Sequence, residues 1–274
     1  MRSLFCCPLC GEGLIRETKR YACPRGHAFD RAAAGYVHLL PSHQMHSKDP
    51  GDDKGMAAAR NRFLSTGSYA PLRQALTELV LAYAPQTPVL LDAGCGEGYY
   101  TDGLHQALEA ADKSPRIAGV DLSKHSLRWA AKRSDQVEFA VASVYRLPVS
   151  DGAVDLLLDC FSPLCLEEFR RVLKPGGVFF YVVPGRDHLW ELKQILYETP
   201  YRNQEKLTPY EGFSYLEVRR VEDRFTLSSQ EAIHDLFQMT PYFWKTPKEG
   251  AAKLEALTEL TVTISFQIHV FRRA

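Results

Sequence analysis

No apolar run in these 274 residues approaches the roughly 20 residues a helix needs to cross a bilayer, which excludes a helical membrane anchor. A net charge is missing too. Lys and Arg number 33 and Asp and Glu 33, so no global basic field marks the chain for nucleic acid, and only a local distribution of charge can do so. No internal repeat is visible, which excludes a solenoid. The opening MRSLFCCPLC lacks the apolar core of a signal peptide. Cysteine, by contrast, is not scarce. There are seven, an odd number, with four crowded into the first 23 positions. A reducing cytoplasm fits this pattern better than a disulfide framework.

A chain with 45% hydrophobic and 24% charged residues is an ordinary globular one. Its length allows one sizeable domain and a small accessory one. Residues 5–40 read as short strands and turns, and PSHQMHSKDPGDDKG (41–55) reads as a linker. From Met56 to about Ala84 the pattern is helical, interrupted by STGSYAP at 65–71. Apolar strands are expected at 88–96, 116–123, 137–143, 153–159 and 176–185, alternating with helices, and two longer strands at 214–227 and 260–272. That rhythm predicts an α/β, Rossmann-like doubly wound sheet. The expected division is a zinc-binding module over 1–40, a linker and helical connection over 41–68, and the sheet domain over 69–274.

The cysteines follow metal spacing. Cys7-x2-Cys10, twelve residues, then Cys23-x3-His27 supplies two ligands on each of two knuckles, with Gly11 and Gly26 at the turns. Cys6 is one residue out of register. Four protein ligands leave zinc no open position, so the ion is expected to be structural and to supply folding energy that so short a segment lacks. Three thiolates against a divalent ion leave residues 1–50, with seven Lys/Arg and four Asp/Glu, only slightly basic.

The second motif is LLDAGCGEGYYT (90–101), an apolar strand running into a glycine-rich turn and then a helix. Gly94, Gly96 and Gly98 permit a tight turn and close approach of backbone to a ligand. Asp121 ends the next strand in GVDLS, where a carboxylate can accept ribose hydroxyls. NAD binding is the competing reading. It is disfavoured because Tyr99 stands where the third glycine of a dinucleotide fingerprint belongs.

The loop 92–98, the acidic end of the second strand, the LP after the third and LKPGG before the fifth occur in order over residues 70–274. In this the chain resembles the class I S-adenosylmethionine-dependent methyltransferases. The resemblance implies a seven-stranded sheet, with Asp92 and the loop glycines facing the methionine part of the cofactor and Asp121 its ribose. Ser143 departs from the acidic residue that many members place near the adenine amine. Tyr69, Tyr100, Thr101 and His188 are further candidates for lining the cofactor site, with ordinary packing as the alternative for each. FSP (161–163) follows the fourth strand, where enzymes that methylate base nitrogens often carry a loop over the target. Phe161 is a candidate for stacking, and backbone carbonyls near Ser162 for hydrogen bonding. Asp159 either helps remove a proton or caps the strand. Cys160 and Cys165 do not follow a proline, which argues against a thiolate nucleophile for pyrimidine methylation.

CPLC…YACPRGHAFDRAAAGYVHLL, KDPGDDKGMAAARNRFLSTGSYAPLR and QMTPYFW extend the likeness to nearly the whole chain. Together they resemble the bacterial 23S ribosomal RNA guanine-N1-methyltransferases. That resemblance implies methyl transfer from S-adenosylmethionine to N1 of a guanine in a 23S rRNA hairpin loop. It also implies a homodimer whose zinc modules help to bind RNA, with no membrane and no DNA involved. Tyr21, Arg16, Lys19, Arg20 and Arg25 are the module's candidates for stacking and phosphate contacts. A small-molecule methyltransferase and a non-catalytic ribosome or resistance factor are the alternatives.

Overall fold

The computed structural model describes residues 1–45 and 50–274; positions 46–49, within the expected linker, lie outside the described residues. Strands β1 (Arg2–Cys6), β2 (Gly13–Arg16), β3 (Arg20–Ala22) and β4 (Ala28–Asp30) form an antiparallel meander in chain order. Its two outer turns carry the two cysteine knuckles. Gly11 (φ +78°) and Gly26 (φ +86°) take left-handed conformations there that a side chain would strain. Alternation buries Phe5, Leu14 and Tyr21 completely.

β5 (Val37–His38) leaves this meander, and α1 (Lys54–Ser65) and α2 (Ala70–Tyr83) follow. The Asp53 carboxylate caps α1 by accepting the Met56 N–H at 2.8 Å. Gly67, at φ +81°, breaks the helical run, and Pro71 suits the first turn of α2. The rest of the chain is β6 (Val89–Ala93), α3 (Tyr99–Ala110), β7 (Arg116–Asp121), α4 (Lys124–Arg133), β8 (Glu138–Val141), β9 (Val154–Cys160), α5 (Leu166–Val172), β10 (Leu173–Pro184), α6 (Trp190–Leu196), β11 (Phe213–Leu227), α7 (Gln230–Gln238), α8 (Lys248–Glu255) and β12 (Leu260–Arg273).

The main sheet runs β11-β12-β10-β9-β6-β7-β8-β5. β12 is antiparallel to both its neighbours and the other pairings are parallel. Chain order reverses between β6 and β9. The carboxyl ends of those two strands are where an open α/β sheet forms its ligand crevice. Short Val/Leu/Ala/Phe runs make the central strands because both faces are covered. One face packs Leu90, Leu158 and Phe180 under the larger set of helices; the other packs Leu91, Leu157 and Phe179 toward α5 and the N-terminal meander.

Among the described residues the sheet holds the seven expected strands and an eighth. The eighth is β5, from the end of the segment assigned to the zinc module, and it lies parallel to β8 with Val37 opposite Ala140. β8 is only four residues long, and without β5 its outer edge would be left unpaired. The Leu39 N–H donates to the Val141 carbonyl at 3.0 Å and extends this cover. The meander is also anchored directly. Ser3 Oγ–H and the Leu4 N–H donate to the two oxygens of Glu138 at 2.6 and 2.9 Å, and the Cys6 N–H donates to the Pro148 carbonyl at 2.7 Å.

Tyr21 corrects one expectation. It is wholly buried opposite Phe29, with Glu138 among the charges acting on its hydroxyl, and cannot offer a face to a base. Its position on the inward-facing register of a three-residue strand decides this. Arg20 and Arg25 stay exposed but pair with Glu17 (2.7 Å) and Glu12 (3.6 Å), and Arg16 donates to the Asp135 carbonyl (3.2 Å).

Candidate active site and metal centre

Four sequence elements converge at the carboxyl ends of β6, β7 and β9. The glycine loop turns out of β6 with Gly94 at φ +92°, Gly96 at +54° and Gly98 at +82°. A Cβ on Gly94 would overlap the Ser162 side chain, and one on Gly98 would lie 2.9 Å from the Ala130 backbone Cα. Glycine is therefore required on grounds of space as well as conformation. Asp121 holds the loop by accepting the Gly96 N–H at 2.9 Å through one oxygen and the Ser123 N–H at 2.7 Å through the other. Burial pushes its carboxyl above the usual range, against the two N–H bonds that pull it down.

Asp92 lies beneath the loop, 1% exposed. Thr101 donates to one of its oxygens at 2.6 Å, and the other has no partner among the described residues. Burial, the largest influence, moves this carboxyl up to about 7. Asp159, at the end of β9, is similar. One oxygen accepts the Ser162 N–H at 3.0 Å, the other is unbonded, and burial moves the group up to about 8. Two deeply buried carboxyls, each with an oxygen unbonded among the described residues, lie by the glycine turn at the switch point where an open α/β sheet forms its ligand crevice. Such oxygens suit a cofactor with hydrogen-bond donors or positive charge to offer them. The Cys160 thiol, by contrast, is held well above its usual value by burial, which opposes a thiolate role.

Phe161 is half exposed and left-handed at φ +61°, with its ring 5.6 Å from Phe266. Such a conformation costs a non-glycine residue about 1–3 kcal/mol, and sites that do so are often functional. His188 and Tyr69 meet behind it at 3.4 Å. The Ser265 N–H donates to His188 Nδ1 at 3.4 Å, and burial takes the imidazole down to about 3. The ring is therefore neutral and carries its proton on Nε2, toward Tyr69. The hydroxyl of Tyr100 is buried with no partner. Ser143 spends its Oγ on the Tyr145 N–H at 3.2 Å.

The segment read as a linker builds a wall of this crevice. Asp52 pairs with Arg60 on α1, and the Asp52 carbonyl accepts from Ser123 Oγ at 2.6 Å, beside Asp121. Gly51 passes so close that a Cβ would sit 2.8 Å from the Ser123 nitrogen. Glu97, inside the glycine loop and 1% exposed, accepts from Asn61 Nδ2 at 2.9 Å and Arg133 Nε at 2.7 Å, tying the loop to α1 and α4. Sequence reading missed Asp52, Arg60, Asn61, Glu97 and Arg133. DPGD read as a linker turn and as part of the family resemblance, but a charge buried by long-range pairing leaves no local pattern.

The metal centre is separate. The ligand atoms of Cys7, Cys10, Cys23 and His27 all lie within 4.8 Å of one another. Cys10 and Cys23 sulfurs are 3.7 Å apart, and His27 Nδ1 is 3.5 Å from the sulfurs of Cys7 and Cys23. A tetrahedral zinc with bonds of about 2.3 Å to sulfur requires neighbouring sulfurs about 3.8 Å apart, so the donor set and its size both fit that ion. Cys6 points elsewhere, its sulfur 3.0 Å from Ser150 Oγ.

Family comparisons agree with both halves. A model described as "RlmA, N-terminal", a zinc ribbon, matches residues 5–48, and one described as "Methyltransferase domain" matches residues 87–238. YxjB of Bacillus subtilis is 34% identical over 277 residues, covering 97% of this chain and 96% of the relative. A Streptomyces fradiae protein named 23S rRNA (guanine(748)-N(1))-methyltransferase is 33% identical over 275 residues, covering 96% of this chain and 95% of the relative. Among solved structures, YcgJ of Bacillus subtilis overlays 73% of this chain and 97% of its own with a TM-score of 0.51 at 15% identity, a likeness of fold alone. The chain belongs to the 23S rRNA guanine-N1-methyltransferase family, joining an RlmA-type zinc ribbon to an S-adenosylmethionine-dependent methyltransferase domain.

Proposed function

We propose that this chain methylates N1 of one guanine in an unpaired loop of 23S rRNA, using S-adenosylmethionine. The observation that carries the reading is near-complete coverage of a relative named for that reaction, together with two underbonded buried carboxyls at the same crevice. When bound, the cofactor supplies a methyl group on a sulfonium, a good leaving group, so the protein's task is placement and handling of one proton. Asp92 and the loop from Gly94 to Gly98 are assigned to the methionine part, and Asp121 to the ribose. Thr101 orients Asp92, while Tyr69, Tyr100 and His188 close the crevice behind it.

N1 must lose its proton for its lone pair to react. Asp159 is the group assigned to take it, through the oxygen that nothing else occupies. A carboxyl raised to about 8 is partly ionised at neutral pH yet basic enough to accept a proton. Phe161 is assigned to stack on the base, and backbone near Ser162 to hydrogen-bond it. N1 lies on the pairing edge, which is why a hairpin loop is the favoured target. The finer assignments are a homodimer acting in the cytoplasm, with residues 1–40 as the RNA-presenting module, 41–68 as the connection and 69–274 as the catalytic domain.

The test is to incubate protein and labelled cofactor with 23S RNA lacking its guanine-N1 methyl, then map the product by primer extension. Methylated N1 cannot pair, so one new stop is expected at a loop guanine. Label entering only small molecules would overturn the reading.

A further inference from the structure

Beyond Asp159, the face of the sheet formed by β10 and β12 carries a cavity of about 650 Å³ that none of these roles uses. Tyr181 stands beside Asp159 in the β9–β10 register and beside His269 in the β10–β12 register. Residues 201–210 pass over it and contribute Tyr201 and Tyr210 to its lining. The volume is ordinary for a small-molecule or base pocket, about 300–1,000 Å³.

Gln267 lines the cavity and is only 3% exposed. A hydrogen-bond relay fixes it. Tyr215 Oη lies 3.2 Å from His269 Nδ1, and His269 Nε2 lies 3.1 Å from Gln267 Oε1. Burial, with Arg220 adding to it, keeps this imidazole neutral, so it carries a single ring proton. Tyr215 then donates to Nδ1, and Nε2–H donates to the carboxamide oxygen. The relay commits that oxygen and leaves the Gln267 amide N–H groups with no acceptor among the described residues. Gln267 lines the cavity, so these N–H groups are available to an acceptor on a ligand seated there. The rim adds Lys206, a cationic group suited to a phosphate, together with Arg202, which pairs with Asp187, and Glu205, which pairs with Arg220.

We propose that this cavity seats a nucleobase of the RNA substrate, stacked on Tyr181, with a ring carbonyl or imine nitrogen accepting from Gln267 Nε2. Aromatic faces, one fixed donor and a cationic group at the rim are the chemistry that recognises an unpaired nucleotide. Strands are spaced about 4.8 Å apart, so Gln267 on β12 stands about 10 Å across the sheet from β9. That places the pocket near the proton acceptor, at a distance a nucleotide flanking the target can span. The proposal rests on the RNA-methylation reading.

The test is fluorescence polarisation of a labelled hairpin from unmethylated 23S RNA, with S-adenosylhomocysteine present. Gln267→Glu keeps the shape but replaces the donor with an anion; RNA affinity should fall about tenfold while S-adenosylhomocysteine affinity stays within about twofold. Lys206→Ala, an exposed rim change that cannot unfold the protein, should weaken RNA binding about threefold and reduce its salt dependence. If Gln267→Glu fails to fold, the Lys206→Ala result decides. Wild-type protein that neither binds nor methylates the RNA overturns the underlying reading. Variants indistinguishable from a wild type that does bind overturn the pocket alone.

Discussion

The zinc centre and the methyl-transfer crevice solve opposite problems. At the zinc centre all four ligands lie between Cys7 and His27, on two hairpin turns, and the donors close on a tetrahedral ion with no position left over. Its order is local and complete. The crevice gathers groups from Gly51 to Ser265 and leaves Asp92, Glu97 and Asp159 each with an oxygen unbonded. Its order is long-range and deliberately incomplete. A closed site holds structure, whereas an underbonded buried site keeps capacity for a ligand and a proton. Division of labour follows from that difference, and each half can be tested against it.

The largest effect should come from removing the crevice's proton acceptor. Asp159→Asn keeps the Ser162 contact but removes the proton acceptor, so methylation should fall about 10²–10⁴-fold with cofactor affinity unchanged. In the wild type, the rate of the chemical step should rise with pH and level off above about 8, because Asp159 acts only when ionised. Single-turnover measurements across pH check both. A flat profile, or an active Asp159→Asn enzyme, would mean that the proton leaves by another route.

A smaller effect is expected from opening the closed site. Cys10→Ser should cost the module its zinc, measured by metal content, and weaken RNA binding by about tenfold or more. Cofactor affinity should stay within about twofold, since the groups that hold the glycine loop, Asp121, Asn61 and Arg133, lie outside the zinc module. The contacts of Ser3 and Leu4 with Glu138, and of β5 with β8, sharpen this. The module braces the sheet's edge, so the melting temperature should drop as well. Loss of cofactor binding at equal protein level would break the contrast between the two sites.

The same contrast explains what was legible in the sequence. The central strands announce themselves as short apolar runs because two covered faces demand it, and metal spacing is written in closely spaced residues. β5 is two residues long and exists only because β8 offers an edge. Asp52, Arg60 and Glu97 look like solvated charges until distant segments bury them. Helix α8 sits where no motif drew attention. Gln267 reads as one polar position in an alternating strand; only its neighbours His269 and Tyr215 turn it into an aimed donor.

The subtlest expectation concerns Asp92, whose carboxyl is raised from 3.8 to about 7 by burial. A carboxyl raised on folding holds its proton in the native state after the unfolded chain has lost it. Its contribution to stability is therefore complete below about 4 and is lost as pH rises through about 7. Cofactor binding should run the other way. The cofactor is cationic, so it favours ionised Asp92, and below about 7 binding must first expel the proton. The dissociation constant should thus improve up to about tenfold between pH 6 and 7 and then level off. Calorimetric titration in buffers of different ionisation enthalpy would register the released proton directly. Asp92→Asn, which keeps the Thr101 hydrogen bond, should flatten the pH dependence and abolish the proton release. A slope that survives in that variant would move the titrating group to Asp121 or Asp159.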